Sequence, residues 1–376
     1  MKNRELMPGL VSGYVRPGIV LVVLALTLAV SACVAERRIH GTPEAEPTIS
    51  TQSTPTPELT ASPTPVPSPS PSATPEPTAE PDPTPTPEST PDPAPTPTRE
   101  PRDPPYPLDC EDLTPEIDEE LQGVVEDRLG EFAAGFSVVI QELTTGARAE
   151  AHPENSYYGA SLYKAAVMYE VMRQVSEGEL SLNQYLTIDS FYASQDLGTL
   201  GAFGWGAGST ISLYEALEAS IIVSDNATAY LLGDLVNWVQ VDNTLHNELG
   251  ATDTQFSWET LPTTAGDMAL LLKAIACADG VTEENSQMML DFLANQYIDN
   301  RLPRYLPSEA IIGHKTGNWS DVNHDIGIVY GPNAVYVIAV LSQYPGADER
   351  IALLSRDVYA YFHPDAFEDD LNDDAN

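Results

Sequence analysis

Proline, more than any other residue, decides what this chain can fold into, because it is concentrated in one stretch. Roughly two-thirds of the 33 prolines fall between Glu36 and Pro107, in runs such as Pro63-Thr64-Pro65-Val66-Pro67. Each proline removes an amide donor and fixes φ, so residues 34–107 cannot build helix or sheet. They read as an extended, semi-rigid tether. At about 3.1 Å per residue it reaches on the order of 200 Å, enough for a spacer across a cell wall.

On either side of the tether the composition changes. Lys2, Arg4 and Arg16 lead into the apolar run Ile19–Val30, which ends in Val30-Ser31-Ala32-Cys33. A run of about a dozen apolar residues is short of the roughly 20 that span a bilayer. Residues 1–33 therefore read as an export signal. The final four residues resemble a bacterial lipobox, with Cys33 as the lipid attachment point. Such a lipid would hold the chain to the outer face of a membrane that the rest does not enter.

Residues 108–364 read as one globular domain, followed by an acidic tail over 365–376. Apolar spacing predicts a helix over Pro115–Phe132. Strand-like Gly135–Ile140 and Ala147–Ala151 follow, joined by the hairpin signal Thr144-Thr145-Gly146. Helical patterns then run to about Asn295. Strands are expected at Ile311–Thr316, Ile326–Tyr330 and Ala334–Leu341, with a closing helix over Asp348–Phe362. That order is α+β: an antiparallel sheet flanked by helices, plus an all-helical subdomain, with a cleft between the two.

Charge and cysteine content narrow the function. The 56 acidic residues outnumber the 17 basic ones, for a formal charge of −39. That leaves no cationic surface for nucleic acid. Three cysteines are too few for a disulfide scaffold, although Cys110 and Cys277 can pair in an exported chain. His314 and His324 lack a third ligand at metal spacing, so they read as structural or rim residues, and no metal or cofactor is expected. Tyr157, Tyr158, Tyr192, Phe203 and Trp205 read as core aromatics, with lining of the cleft as the other possibility. The glycosylation-type triplet Asn226-Ala227-Thr228 carries no weight. A monomer is expected.

Three short motifs hold the chemistry. Ser161-Leu162-Tyr163-Lys164 opens an apolar helical run, Ser224-Asp225-Asn226 sits between two apolar stretches, and Lys315-Thr316-Gly317 ends a strand. Singly, each is a cap or a turn. In this order and on these elements they resemble the signature of class A β-lactamases and penicillin-binding proteins. The likeness spans essentially all of Leu108–Pro364. It continues through Asn323–Pro332, which resembles the sheet segment after the KTG strand.

The resemblance implies a β-lactamase/transpeptidase-like fold and a site residue by residue. Ser161 becomes the nucleophile and Lys164 its base, which requires the lysine pKa to be lowered by burial beside a cation such as Lys315. Ser224 relays a proton to the leaving nitrogen. Asn226 binds the substrate's side-chain amide, and Lys315 and Thr316 hold its carboxylate. The backbone N–H groups of Ser161 and Asn318 form the oxyanion hole.

One part departs from the family pattern. Trp258-Glu259 resembles the start of the loop motif that activates the deacylating water, but no Asn follows, and Thr263-Thr264 arrives about a dozen residues early. Glu259 is thus either the hydrolytic base or a solvated carboxylate. The expectation is a β-lactam hydrolase that releases its acyl group slowly. The alternatives are a penicillin-binding-protein-like peptidase or esterase on cell-wall peptides, and a wall-binding module without turnover.

Overall fold

The computed structural model describes Leu108, Cys110 and residues 114–367. Cys33 and the export signal, the 34–107 tether and the last nine residues lie outside the described residues.

The chain enters through β1 (Glu116–Ile117), a two-residue strand, and α1 (Glu119–Leu129). The expected helix over Pro115–Phe132 is trimmed at both ends. Asp118 caps it, its carboxylate accepting the amides of Glu120 and Leu121 at 3.0 Å. Gly130, at φ +49°, stops it, and residues Gly130–Gly135 tighten into a 3-10 turn. Leu121, Val125 and Leu129 recur every fourth residue and are buried. Next come β2 (Phe136–Glu142) and β3 (Ala147–Ala151), joined at Thr144-Thr145-Gly146 as the turn residues predicted. The Glu142 carboxylate closes that turn by accepting the Thr144 amide at 2.9 Å and the Thr145 amide at 2.5 Å.

After β4 (Tyr157–Tyr158) the chain passes into α2 (Tyr163–Ser176). Ten consecutive α2 residues, Tyr163–Met172, are buried, which makes it the central helix of the helical layer. Around it follow β5 (Tyr185–Ile188), α3 (Ser190–Ala193), α4 (Leu200–Phe203) and β6 (Ser209–Ser212). Then come α5 (Leu213–Ile222), α6 (Asn226–Val236), α7 (Trp238–Asn247), β7 (Pro262–Thr263), α8 (Ala265–Ala276) and α9 (Glu283–Ala294). The purely helical reading of this region misses two small pairings, β5 with β6 and β4 with β7. The β4–β7 pair is functional in placement, as shown below.

The chain ends with β8 (Ile311–Trp319), β9 (Val322–Tyr330), β10 (Val335–Ser342) and α10 (Asp348–Phe362), followed by a 3-10 turn over Pro364–Phe367. The main sheet runs β1-β3-β2-β10-β9-β8. All its pairings are antiparallel except β1 with β3, which is parallel. Both faces are buried, so side chains alternate between two cores. Val138, Ile140, Tyr336, Ile338 and Val340 join the core under α1 and α10. Val139, Val337, Ala339 and Leu341 join the core shared with the helical layer. Cys110 and Cys277 form a disulfide across 167 residues, and the Leu108 amide donates to Ala276 O at 2.8 Å. The start of the domain is thereby fixed to the end of α8.

Candidate active site

Ser161 lies on a single 3-10 turn, Ala160–Leu162, that leads into α2. The turn is set by its neighbours. Ala160 takes φ +46°, a conformation unfavourable for a residue with a Cβ. The Gly159 amide donates to Leu261 O at 2.8 Å, which ties the turn to the β7 side. On the other side, a Cβ on Gly317 would meet Gly159 O at 2.9 Å and Leu162 Cγ at 3.0 Å. Only glycine permits that approach, so β8 lies directly against the serine-bearing turn.

One helical turn on, Lys164 is fully buried. Its Nζ donates to Ser224 O at 2.5 Å, to Ser224 Oγ at 3.1 Å and to Asn226 Oδ1 at 2.7 Å. Lys315, on β8 and also fully buried, donates to the same Ser224 Oγ at 3.1 Å and to Thr316 O at 3.0 Å. Two lysine nitrogens therefore converge on one hydroxyl. Ser224 is presented to them by a left-handed backbone, φ +56°. The next residue explains how that backbone is held. Asp225 caps α6, accepting the Thr228 amide at 2.7 Å, while its other oxygen accepts the Thr199 hydroxyl.

Burial pushes the Lys164 pKa down to about 7, opposed by the nearby Asp225 carboxylate. Lys315 is pushed well below its ordinary value, first by burial and then by the Lys164 charge. The direction for Lys164 and the leading cause, burial, agree with the sequence argument. A lysine with its proton removed offers a lone pair, and Ser224 Oγ can both accept and donate. The cluster can therefore pass a proton between Lys164, Ser224 and Lys315 without moving heavy atoms.

Asn318 stands two strand positions beyond Thr316, exposed at the end of β8. Its Oδ1 accepts from Arg301 at 3.2 Å and from Asn323 at 3.1 Å. Arg301 itself is buried, held by Asp348 Oδ1 at 2.6 Å and His324 O at 2.9 Å. No local pattern marks the pairing of Arg301 with Asp348, which spans 47 residues. Asp225 was legible, as an acidic residue immediately before an apolar helical run.

Both histidines are buried within the sheet. His314 Nδ1 meets Asp325 Oδ1 at 2.9 Å. His324 Nδ1 accepts the Ser342 amide at 3.0 Å, so its Nε2 carries the hydrogen donated to Tyr158 O at 2.9 Å. Burial lowers the His324 pKa to about 4, consistent with a neutral ring. Among the described residues no three His, Cys, Asp or Glu side chains are grouped to hold a metal. Tyr157, Tyr158, Tyr192 and Trp205 pack half-buried against the helical-layer core, and Phe203 stacks on Trp205 at 4.5 Å.

The loop carrying Glu259 is anchored at its ends and free at its tip. Asp242, buried, accepts the amides of Phe256 at 2.6 Å and Ser257 at 3.1 Å. At the far end, Tyr157 and Tyr158 pair with Thr263 and Pro262. Between these anchors Trp258 is 57% exposed, and Glu259 and Thr260 are exposed as well. Among the described residues no hydrogen bond or ion pair holds the Glu259 carboxylate.

With this geometry in hand, the comparison with known proteins is direct. Residues 116–362 match the model of the beta-lactamase enzyme family. The chain belongs to that family. It is a serine hydrolase of the kind that includes β-lactamases and penicillin-binding proteins. Among its relatives is beta-lactamase BRO-1 of Moraxella catarrhalis, 23% identical over 239 residues, which cover 56% of this chain and 74% of the relative. The fold is shared with PBP-A, at a TM-score of 0.62 and 23% identity over 67% of this chain and 99% of that one. It is also shared with a beta-lactamase from Sphaerobacter thermophilus DSM 20745, at 0.59 and 22% over 65% and 98%.

Proposed function

We propose that this protein opens β-lactam amides through an acyl-enzyme on Ser161, and that release of the acyl group is its slow step. The observation that carries the reading is the convergence of Lys164 and Lys315 on Ser224 Oγ, beside the Ser161 turn. Neutral Lys164 takes the Ser161 hydroxyl proton as Oγ attacks the lactam carbonyl. The backbone amides of Ser161 and Asn318 receive the developing oxyanion. The C–N bond then breaks, the new ester joins Ser161 to the acyl group, and Ser224 hands a proton to the departing nitrogen. Asn226 binds the substrate's side-chain amide, and Lys315 and Thr316 take its carboxylate.

Slow release is supported by the exposed, unbonded Glu259. A water-activating carboxylate must be held in place, and nothing among the described residues holds this one. The same observation favours a second reading, a penicillin-binding-protein-like peptidase or esterase whose natural substrate is a cell-wall peptide. A mutant of the structurally similar PBP-A has been solved as an acyl-enzyme complex with penicillin-G. Intact-protein mass spectrometry after mixing with a penicillin separates the readings. An adduct that forms within seconds and decays over minutes supports the β-lactam hydrolase. A persistent adduct supports the peptidase, and the absence of any adduct sinks both.

The lipobox-like Val30-Ser31-Ala32-Cys33 supports export and anchoring by a lipid on Cys33. Cys33→Ser should move the protein out of the membrane fraction or leave it unprocessed. Unchanged processing and fractionation would refute the anchor.

A further inference from the structure

A second concave site lies on the α10 side of the sheet, next to the Asp348 that holds Arg301. A cavity of about 420 Å³ opens between the 3-10 turn that follows α1 and the start of α10. Its apolar walls are Phe132, Phe136, Tyr344, Pro345 and Leu353. Phe136 and neighbouring Ala347 belong to the core under α1 and α10, whereas Leu162 and Tyr163 beside Ser161 belong to the core of the helical layer. The two sites are on opposite faces of the sheet.

Arg350 stands at this cavity in an unusual state for such an acidic chain. Among the described residues, Arg128 and Arg356 pair with Asp357, Arg148 with Glu150, Arg173 with Glu170, Arg301 with Asp348 and Arg304 with Glu349. Arg350 pairs with no carboxylate there. Its guanidinium sits 3.9 Å from the Phe132 ring centroid and donates one hydrogen bond, to Arg128 O at 3.2 Å. These two contacts fix the side chain and leave most of its five N–H donors free. Glu349, also on the wall, does not neutralise it, because its carboxylate is taken by Arg304 and by the Tyr305 hydroxyl at 3.0 Å.

A fixed, unpaired guanidinium over an aromatic cavity has a definite complement. We propose that this cavity binds a small aromatic monocarboxylate, its ring system against Phe132, Tyr344 and Leu353 and its carboxylate on Arg350. The volume lies within the roughly 300–1,000 Å³ of ordinary small-molecule sites. Of the two arginines on the wall, Arg128 is engaged with Asp357 and Arg350 with no carboxylate among the described residues, so one ligand carboxylate is what the site is arranged to meet. The site does not depend on the reaction proposed for Ser161.

The test is a titration of the ¹⁵N-labelled full chain with 2-naphthoate, and in parallel with 2-naphthalenemethanol, an uncharged analogue of similar shape. Naphthoate should shift the Gly346 and Ala347 amides saturably, and the alcohol should bind about tenfold more weakly or worse. Arg350→Gln should lose about as much affinity for naphthoate. Leu353→Trp, which fills the cavity and leaves Arg350 in place, should abolish binding. Circular dichroism and penicillin acylation serve as checks that both variants are folded. Equal affinity for acid and alcohol, unchanged binding by folded Arg350→Gln, or shifts confined to Gly317 and the Ser161 turn would each overturn the proposal.

Discussion

The Lys164–Ser224–Lys315 cluster and the Glu259 loop border the same serine turn and are built in opposite ways. In the cluster, both lysines are fully buried and every Nζ contact is made to a defined oxygen. In the loop, the backbone is clamped by Asp242 at one end and by β4 at the other, while the only carboxylate at the tip is left in solvent. Preorganised polar groups are what lower a barrier, because they do not have to be ordered during the reaction. On the function proposed above, that contrast favours attack on a carbonyl over activation of a water. The contrast is also one of cost. Burying two lysines side by side is unfavourable, and such an arrangement persists where surrounding packing over-determines it, here the Asp225 cap, the Gly317 contact and the α2 core.

The strongest way to break this comparison is to remove the nucleophile. Ser161→Ala should eliminate the penicillin adduct altogether with the fold retained, since it deletes one hydroxyl on a turn held by backbone contacts. An adduct of unchanged mass yield in the variant would place the reacting group elsewhere and empty the cluster of its role.

A pH profile sharpens it. The base form of Lys164 is the neutral amine, and its pKa is lowered to about 7. Acylation should therefore be at its plateau above that value and fall as pH drops through it, by about tenfold per unit once the lysine is mostly charged. Stopped-flow acylation rates between pH 5 and pH 9 would check it. A rate that is flat across neutrality, or that rises toward acid, would mean that Lys164 is not the base.

The smallest effect is expected from the loop. General-base assistance is typically worth about 10²–10⁴-fold. Because Glu259 is unheld, Glu259→Gln should change deacylation by well under about tenfold and acylation not at all. Single-turnover measurements on both proteins would decide it. Fast release in the wild type that collapses in the variant would show that the loop orders when substrate binds, and the contrast between the two regions would disappear.

Much of this was written locally. The helix over Asp348–Phe362 and the turn at Thr144-Thr145-Gly146 follow from patterns within a few residues of themselves, and both occur as expected. The ends of α1 were misjudged because a cap and a glycine outweigh apolar spacing at helix termini. The β4–β7 pair leaves no local signal, since a two-residue strand has almost no pattern and its partners are 104 and 106 residues apart. Arg301 gave no signal for the same reason.

The sequence alone determined which residue types were available for the chemistry, in which order, and on which kinds of element, because serine at a helix entry and lysine within a strand are local facts. Tertiary structure decided the rest. Only packing brings Lys164 and Lys315, separated by 60 and 91 residues from the shared Ser224, to 3.1 Å from its one hydroxyl oxygen. Only burial, which no single residue encodes, brings the pKa of one of those lysines down to about 7, while the fold leaves Glu259 exposed to solvent.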